Sequence, residues 1–256
     1  MPEGDSVHRA AAQLHGALAG QELIASDFRV PAYATIDLSG RHVDEVISRG
    51  KHLLIRAGTV TIHSHLKMEG HWEVYAPQER WRAPGWQARV VLRTAQHVAV
   101  GFQLGRLDVV PRHEESRVVG HLGPDLLGPD WDASVATANI ERQPARTIST
   151  ALLDQQNLAG IGNVYRSEVC FLAGILPTRT VADVADVRRV VDLSRDLLDA
   201  NKDRGRRITT GNPRDPLWVY GRRGPCLRCG TPIRRGQDAD TSGPERVVYW
   251  CPRCQQ

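Results

Sequence analysis

Val7, Ala10, Ala11, Leu14 and Leu18 recur near a helical repeat, with Asp5 or Ser6 placed to cap the run and Gly20 to end it. The spacing predicts one amphipathic helix over residues 5–19. From about Glu22 to Pro111 the pattern changes to short alternating runs broken by Gly, Pro and Asp. Val43 to Ile47, His52 to Ile55, Val60 to His63, Trp72 to Tyr75, Arg89 to Leu92 and His97 to Val100 predict strands of a sandwich or barrel. Residues 112–130 hold Gly120, Gly123, Pro124, Gly128 and Pro129, the composition of a connection between domains. The helical period returns over 132–141, 148–156 and 163–173, and Val184, Val187, Val191 and Leu198 mark a fourth helix through about Ala200. Residues 203–225, rich in Arg, Gly and Pro, predict loop, and the remaining residues predict a small separate unit.

Composition narrows the class. At 41% hydrophobic and 24% charged residues over 256 positions, the chain is an ordinary globular protein and not a disordered one. No apolar run approaches the roughly 18 to 20 residues of a membrane span. The acidic start Met1-Pro2-Glu3-Gly4-Asp5 lacks the apolar stretch of a secretory signal, and five cysteines are too few for a disulfide scaffold. The expected compartment is a reducing cytoplasm. The net charge of +4 conceals an asymmetry: residues 201–256 carry 12 Lys/Arg against 5 Asp/Glu. That basic segment suits a polyanion partner, although a solvated basic face has the same composition.

Three motifs carry candidate chemistry. Cys226-x-x-Cys229 and Cys251-x-x-Cys254 have the spacing of a four-cysteine structural zinc site, with a β-hairpin between the knuckles. Two disulfides are the alternative, and a cytosolic setting argues against them. Cys170, alone in an apolar helix, is a core residue on this reading. In Asn157-Leu-Ala-Gly160-Ile-Gly162-Asn163 the glycines permit tight turns and leave the amides of the next helix open to a phosphate, or else simply join two helices. Pro2, once Met1 is removed, presents a secondary amine able to attack an electrophilic carbon, with Glu3 beside it for proton transfer.

Taken in order, Met-Pro-Glu-Gly at the start, Arg49-Gly50-Lys51-His52-Leu53, His65-Leu66-Lys67-Met68-Glu69-Gly70, Gly160-Ile161-Gly162-Asn163-Val164-Tyr165-Arg166-Ser167-Glu168 and the terminal cysteines resemble the formamidopyrimidine-DNA glycosylase and endonuclease VIII family over essentially the whole chain, on the side of an actinobacterial-type endonuclease VIII. The resemblance implies an α+β fold: an N-terminal β-sandwich with a leading helix, a helical helix-two-turn-helix domain and a C-terminal four-cysteine zinc β-hairpin, with DNA in the cleft between domains. The implied division is a catalytic domain over 1–115, a linker over 116–130, the helical domain over 131–218 and the zinc finger over 219–256. It implies a bifunctional glycosylase and AP lyase of base-excision repair, with damaged DNA as partner and one structural zinc ion. Pro2 resembles the nucleophile on the sugar C1′ and Glu3 its acid/base. Lys51 resembles the phosphate-contacting lysine that assists β-elimination, and Arg246 the hairpin arginine that assists δ-elimination. Asn163 resembles the phosphate-binding asparagine, and Met68, beside Lys67, the wedge that fills the gap left by a flipped nucleotide.

Two features favour the pyrimidine branch. Thr209-Thr210 and Val219-Tyr220-Gly221-Arg222 are only eight residues apart, where the purine branch carries a long closing loop. The segment Phe102-Gln103-Leu104-Gly105-Arg106-Leu107-Asp108 stands where that branch has an Arg–Phe pair entering the duplex. The expected substrates are oxidised pyrimidines. Leu66-Lys67-Met68-Glu69 replaces the wedge-loop sequence of enteric endonuclease VIII, and His121 stands where an arginine contacts DNA. The alternatives are a zinc-dependent protein that binds damaged or abasic DNA without catalysis, and an enzyme of the purine branch. A monomer is expected.

Overall fold

Helix α1 (Gly4–Leu18) buries Val7, Ala11, Leu14 and Leu18, a stripe four, three and four residues apart that lies on one helical face. In this computed structural model, residues 2–238 and 246–256 are described; Met1 and residues 239–245 lie outside them. Two compact units divide the chain, Met1–His121 and Leu122–Gln256.

In the first unit, α1 packs with two antiparallel four-stranded sheets. One sheet runs β1 (Ala25–Phe28), β6 (Ala88–Arg93), β7 (Val98–Phe102), β5 (His71–Tyr75); the other runs β2 (Val43–Arg49), β3 (His52–Ala57), β4 (Val60–His65), β8 (Arg106–Pro111). Strands β1 and β8 add to the six expected. Val7, Leu14 and Leu18 share one core with Leu53, Ile55, Ile62, Val90 and Leu92. The register pairs Leu53 with Ser64 and Ile55 with Ile62, so these positions point to the sandwich core. The intervening positions point to the opposite face, where Leu54 and Val110 lie among polar side chains: His52, Arg56, Thr61, His63, His65, Arg106 and Asp108. On that face Arg56 donates to Glu45 and Glu115, and Thr61 also donates to Glu115. This ties the sheet to the turn that leads into the short helix α2 (Ser116–Val119).

The second unit holds α3 (Ala133–Glu141), α4 (Ile148–Leu153), α5 (Asn163–Ala173) and α6 (Val187–Asn201), followed by the hairpin β9 (Arg234–Asp238) and β10 (Arg246–Trp250). Asp132, Thr147 and Asp186 cap α3, α4 and α6 through their side-chain oxygens. Helix α4 is shorter than the periodicity predicts, because Asp154 turns the backbone to extended geometry after Leu153. The fourth helix begins at Val187, after a 3-10 turn over Val181–Asp183. Ile148, Leu152, Tyr165, Val169, Val190, Val191 and Leu198 close the helical core, which includes Cys170 as expected. Burial pushes the Cys170 thiol up to about 12, so it stays protonated and inert.

Candidate active site and nucleic-acid interface

Pro2 lies half-buried just ahead of α1, and Glu3 is the N-cap residue and fully buried. The Glu3 amide donates to Ser6 Oγ at 2.9 Å, and that hydroxyl donates back to the Glu3 carbonyl at 3.0 Å. The first helical turn is therefore held through the Glu3 backbone by a side chain three residues on, which fixes the chain direction at Pro2. Lys51 sits with Gly50 in the two-residue turn that joins β2 and β3, since Arg49 pairs with His52. Gly50 has φ of 57°, the left-handed conformation that such a turn requires.

The loop from Leu66 to Gly70 projects Met68, which is 66% exposed. Core packing is thereby excluded for Met68. Lys67 has φ of 56°, uncommon for a residue with a side chain and a sign that its surroundings hold it there. A Cβ on Gly70 would lie 2.5 Å from the Leu66 carbonyl oxygen, and one on Gly105 would lie 2.2 Å from Lys67 Cγ. Two glycines thus allow the loop to close on itself and against the turn over residues 103–105, presenting Met68 outward.

Behind this loop lies a histidine cluster that motif reading missed. His63 Nδ1 pairs with Asp108 Oδ2 at 2.8 Å, and His63 Nε2 with His52 Nδ1 at 2.7 Å. Arg106 is exposed, and its Nε donates to the same Asp108 oxygen at 2.7 Å. The rings of His65 and His121 stand nearly perpendicular to His52, at 5.0 and 5.9 Å. The Lys67 amide donates to His65 Nδ1, so neutral His65 carries its proton on Nε2 and is a donor for an anion. Burial lowers His65 to about 4, helped by the charges of Lys67 and Lys51. Burial likewise lowers His52 to about 3, with His65, His63, His121 and Arg106 adding to the effect. The signal was present in the sequence: His63-Ser64-His65 within an alternating strand places both imidazoles on one face.

In the second unit, Asn163 opens α5, with Gly160 at φ of 115° and Gly162 extended before it. The connection is braced by Gln155, whose side-chain nitrogen donates to the Leu153 and Ile161 carbonyls and whose oxygen accepts from the Gly160 amide. Asn163 Oδ1 is buried with no hydrogen-bond partner. With the amide turned over, its N–H donors occupy that spot, where an anion would satisfy them. Arg166 and Glu168, read as part of the same motif, turn inward. Arg166 is fully buried and donates to Ser149 Oγ at 2.9 Å and to the Val247 carbonyl at 2.7 Å, which ties α5 to the strand that begins at Arg246. Glu168 accepts from the amides of Trp218, Val219 and Tyr220 and from the Thr209 hydroxyl. Arg246 itself is exposed, opposite Asp238 in the hairpin register.

The four cysteine sulfurs all lie within 4.8 Å of one another. Cys226 and Cys254 are 3.9 Å apart, and Cys229 and Cys251 are 3.5 Å apart. A tetrahedron with zinc–sulfur bonds of about 2.3 Å has edges of about 3.8 Å, whereas a disulfide needs about 2.05 Å. The quartet therefore has the dimensions of a metal site. Gln255 locks the second knuckle: its side-chain oxygen accepts from the Cys251 amide, and its nitrogen donates to the Ile175 carbonyl after α5.

Comparison with known proteins agrees with this arrangement. Residues 1–107 match the formamidopyrimidine-DNA glycosylase N-terminal domain, and residues 122–203 match the H2TH domain of the same glycosylase. A probable endonuclease 8 2 of Streptomyces coelicolor is 55% identical over 260 residues, covering 100% of this chain and 94% of that protein. The DNA-(apurinic or apyrimidinic site) lyase Nei2 of Mycolicibacterium smegmatis is 52% identical, covering 100% of this chain and 99% of that protein. The fold matches that of Lactococcus lactis formamidopyrimidine-DNA glycosylase bound non-covalently to DNA containing an AP site, with a TM-score of 0.82 at 23% identity and 99% of both chains covered. By full-length similarity and by both domain matches, the chain belongs to the formamidopyrimidine-DNA glycosylase and endonuclease VIII family.

Proposed function

We propose that this protein is a base-excision-repair DNA glycosylase with AP lyase activity, acting as a monomer in the cytoplasm on oxidised pyrimidines. The observation that carries the chemistry is Pro2-Glu3 at the start of α1, held through the Glu3 backbone by Ser6. No helix among the described residues is long and apolar enough to cross a membrane. The full-length relatives named as endonuclease 8 and AP lyase support the activity class.

With Met1 removed, the Pro2 nitrogen attacks C1′ of a flipped nucleotide. The C1′–N bond to the damaged base breaks, and the base leaves with the bond's electron pair. Glu3 shuttles the proton that accompanies sugar opening, and an iminium remains between Pro2 and C1′. Loss of a C2′ proton then drives β-elimination of the 3′ phosphate, and δ-elimination releases the 5′ phosphate. Lys51 and Arg246 hold the phosphates that leave, Asn163 holds a flanking phosphate, and Lys67, Arg106 and His121 add contacts to the duplex. Met68 fills the vacated stack, which suits its exposure on a braced loop. Cys226, Cys229, Cys251 and Cys254 hold one zinc ion, whose chemistry is structural because the four thiolates complete its coordination.

The test is borohydride trapping on duplexes that carry thymine glycol, 8-oxoguanine or an abasic site, with mass spectrometry of the N-terminus. An adduct on Pro2 with thymine glycol, lost in Pro2→Gly, is the expected result. Trapping on 8-oxoguanine alone would move the enzyme to the purine branch. Damage-specific binding with no adduct, once Met1 is shown to be absent, would leave a binding protein without catalysis.

A further inference from the structure

The Asp108–His63–His52 chain has a defined proton arrangement. Asp108 is an ionised acceptor: burial pushes its carboxyl up, but hydrogen bonds from His63 and Arg106 outweigh this and hold it below the ordinary range. His63 therefore carries a proton on Nδ1. Burial keeps His63 neutral against the opposing pull of Asp108, so its Nε2 is a bare acceptor. His52 must then carry its proton on Nδ1, and neutral His52 has a bare Nε2. The side chain of His63 is entirely buried, so water does not compete for either nitrogen.

We propose that His63 is a positioning residue which, anchored by Asp108, presets the histidine cluster behind Lys51 so that binding of a DNA phosphate is coupled to uptake of a proton there. The inference rests on the functional reading above, in which Lys51 contacts phosphate. In the free protein His65 faces Lys51 from the turn, Lys67 from the wedge loop, His52 from β3, His63 from its own strand and Arg106 from β8. His52 faces His65, His63, His121 and Arg106. Burial keeps these rings neutral, and positive charge adds to it, from Lys67, Lys51 and Arg106 at His65 and from Arg106 at His52. A phosphate neutralises that positive charge and itself favours a charged imidazole beside it, against the cost of burial. The relay decides where the proton can reside. It fixes His52 as an acceptor toward its neighbours and places the Asp108 carboxylate behind it, so a cation on the cluster has a counter-charge at the far end of the relay. The proton comes from buffer, and no covalent bond changes.

The test uses the full-length protein and a duplex containing a tetrahydrofuran abasic analogue, which cannot form the iminium. Titration calorimetry in buffers of different ionisation enthalpy gives the protons taken up on binding, and affinity is followed from pH 8 to pH 6. We expect uptake approaching one proton and tightening of up to about tenfold per pH unit. In His63→Leu the uptake falls by more than half. In His63→Gln it is retained, because the amide oxygen accepts from His52 while its N–H donates to Asp108. Asp108→Ala, altered at a partly exposed position, is the second probe and should lose uptake like His63→Leu. Damage-specific binding with the same uptake in wild type, His63→Leu and Asp108→Ala overturns the inference and leaves the functional reading intact. A tetrahydrofuran duplex bound no more tightly than an undamaged one overturns both.

Discussion

Glu168 offers a quantitative test of how the helical unit holds the basic segment after it. Its Oε1 accepts from the Val219 and Tyr220 amides at 2.9 and 2.8 Å, and its Oε2 from the Trp218 amide at 2.8 Å and from the Thr209 hydroxyl. The carboxylate is fully buried and is the acceptor for three consecutive amides of a stretch that belongs to no helix or strand. In Glu168→Gln one oxygen remains and serves two donors as before. The new –NH2 meets the other two donors. The Thr209 hydroxyl can reverse and accept, which leaves one backbone N–H buried without an acceptor. Losing one charge-assisted bond and orphaning one donor costs about 3 kcal/mol in all. Exchange of the Trp218–Tyr220 amides, measured by hydrogen–deuterium exchange on a peptide spanning 216–222, should speed up about a hundredfold in native buffer, since each 1.4 kcal/mol is a factor of ten. Thr209→Val, which removes only the hydroxyl, should change it by about fivefold, matching about 1 kcal/mol. An unchanged exchange rate in Glu168→Gln would falsify the view that this one carboxylate organises the segment.

Other consequences are testable separately. Cys251→Ala, or treatment with a strong chelator, should release the metal and unfold the hairpin, seen as loss of zinc by elemental analysis and loss of β10 amide protection; full metal content in the variant would disprove the ligand set. His52 and His65, lowered to about 3 and about 4 in the fold against 6.5 unfolded, contribute stability that is complete above pH 6.5 and is lost as pH falls toward those values. Urea midpoints should therefore drop between pH 6.5 and 4, by up to about 1.4 kcal/mol per pH unit for each group, and His52→Phe should flatten the slope; an unaltered slope contradicts the burial argument. Gly70→Ala should destabilise the first unit by about 2 kcal/mol or more, because the added carbon meets backbone, whereas Gly105→Ala meets a lysine side chain and should weaken DNA binding more than it lowers the melting temperature. Equal stability losses in the two variants would refute that distinction.

What the sequence discloses depends on whether a signal is local. Helix α1 is legible because its stripe and caps lie within fifteen residues, and the cysteine quartet because each knuckle is four residues long. Strand β1 escapes because Ala25-Ser26-Asp27-Phe28 buries a single side chain and has no alternation to read. Strand β8 escapes for a different reason: its outward positions Arg106 and Asp108 are charged and pair with the histidines of β4, so neither looks like a strand until the register is known. The histidine relay is only partly legible for the same cause: His63-Ser64-His65 marks two imidazoles on one face, but not their partners. His52, His63 and Asp108 are separated by 11 and 45 positions and meet only through pairing across three strands.

The residues of one motif do different work. Within Asn163-Val-Tyr-Arg-Ser-Glu168, Asn163 Oδ1 is buried without a hydrogen-bond partner, whereas the Arg166 guanidinium and the Glu168 carboxylate bond inside the unit. Their geometry gives them a different task. Arg166 grips the carbonyl of Val247, one residue beyond Arg246, and Glu168 holds residues 218–220, which lead to the first cysteine knuckle. Neighbouring turns of one helix thus fix the strand that bears Arg246 and the approach to the metal site, while the start of that same helix presents Asn163. Substitution of Arg166 should therefore affect placement of the Arg246 strand and the stability of the unit together, whereas substitution of Asn163 should spare stability. One buried hydrogen-bond frame, built on α5, thereby joins Asn163, the strand that begins at Arg246 and the segment leading to the cysteines.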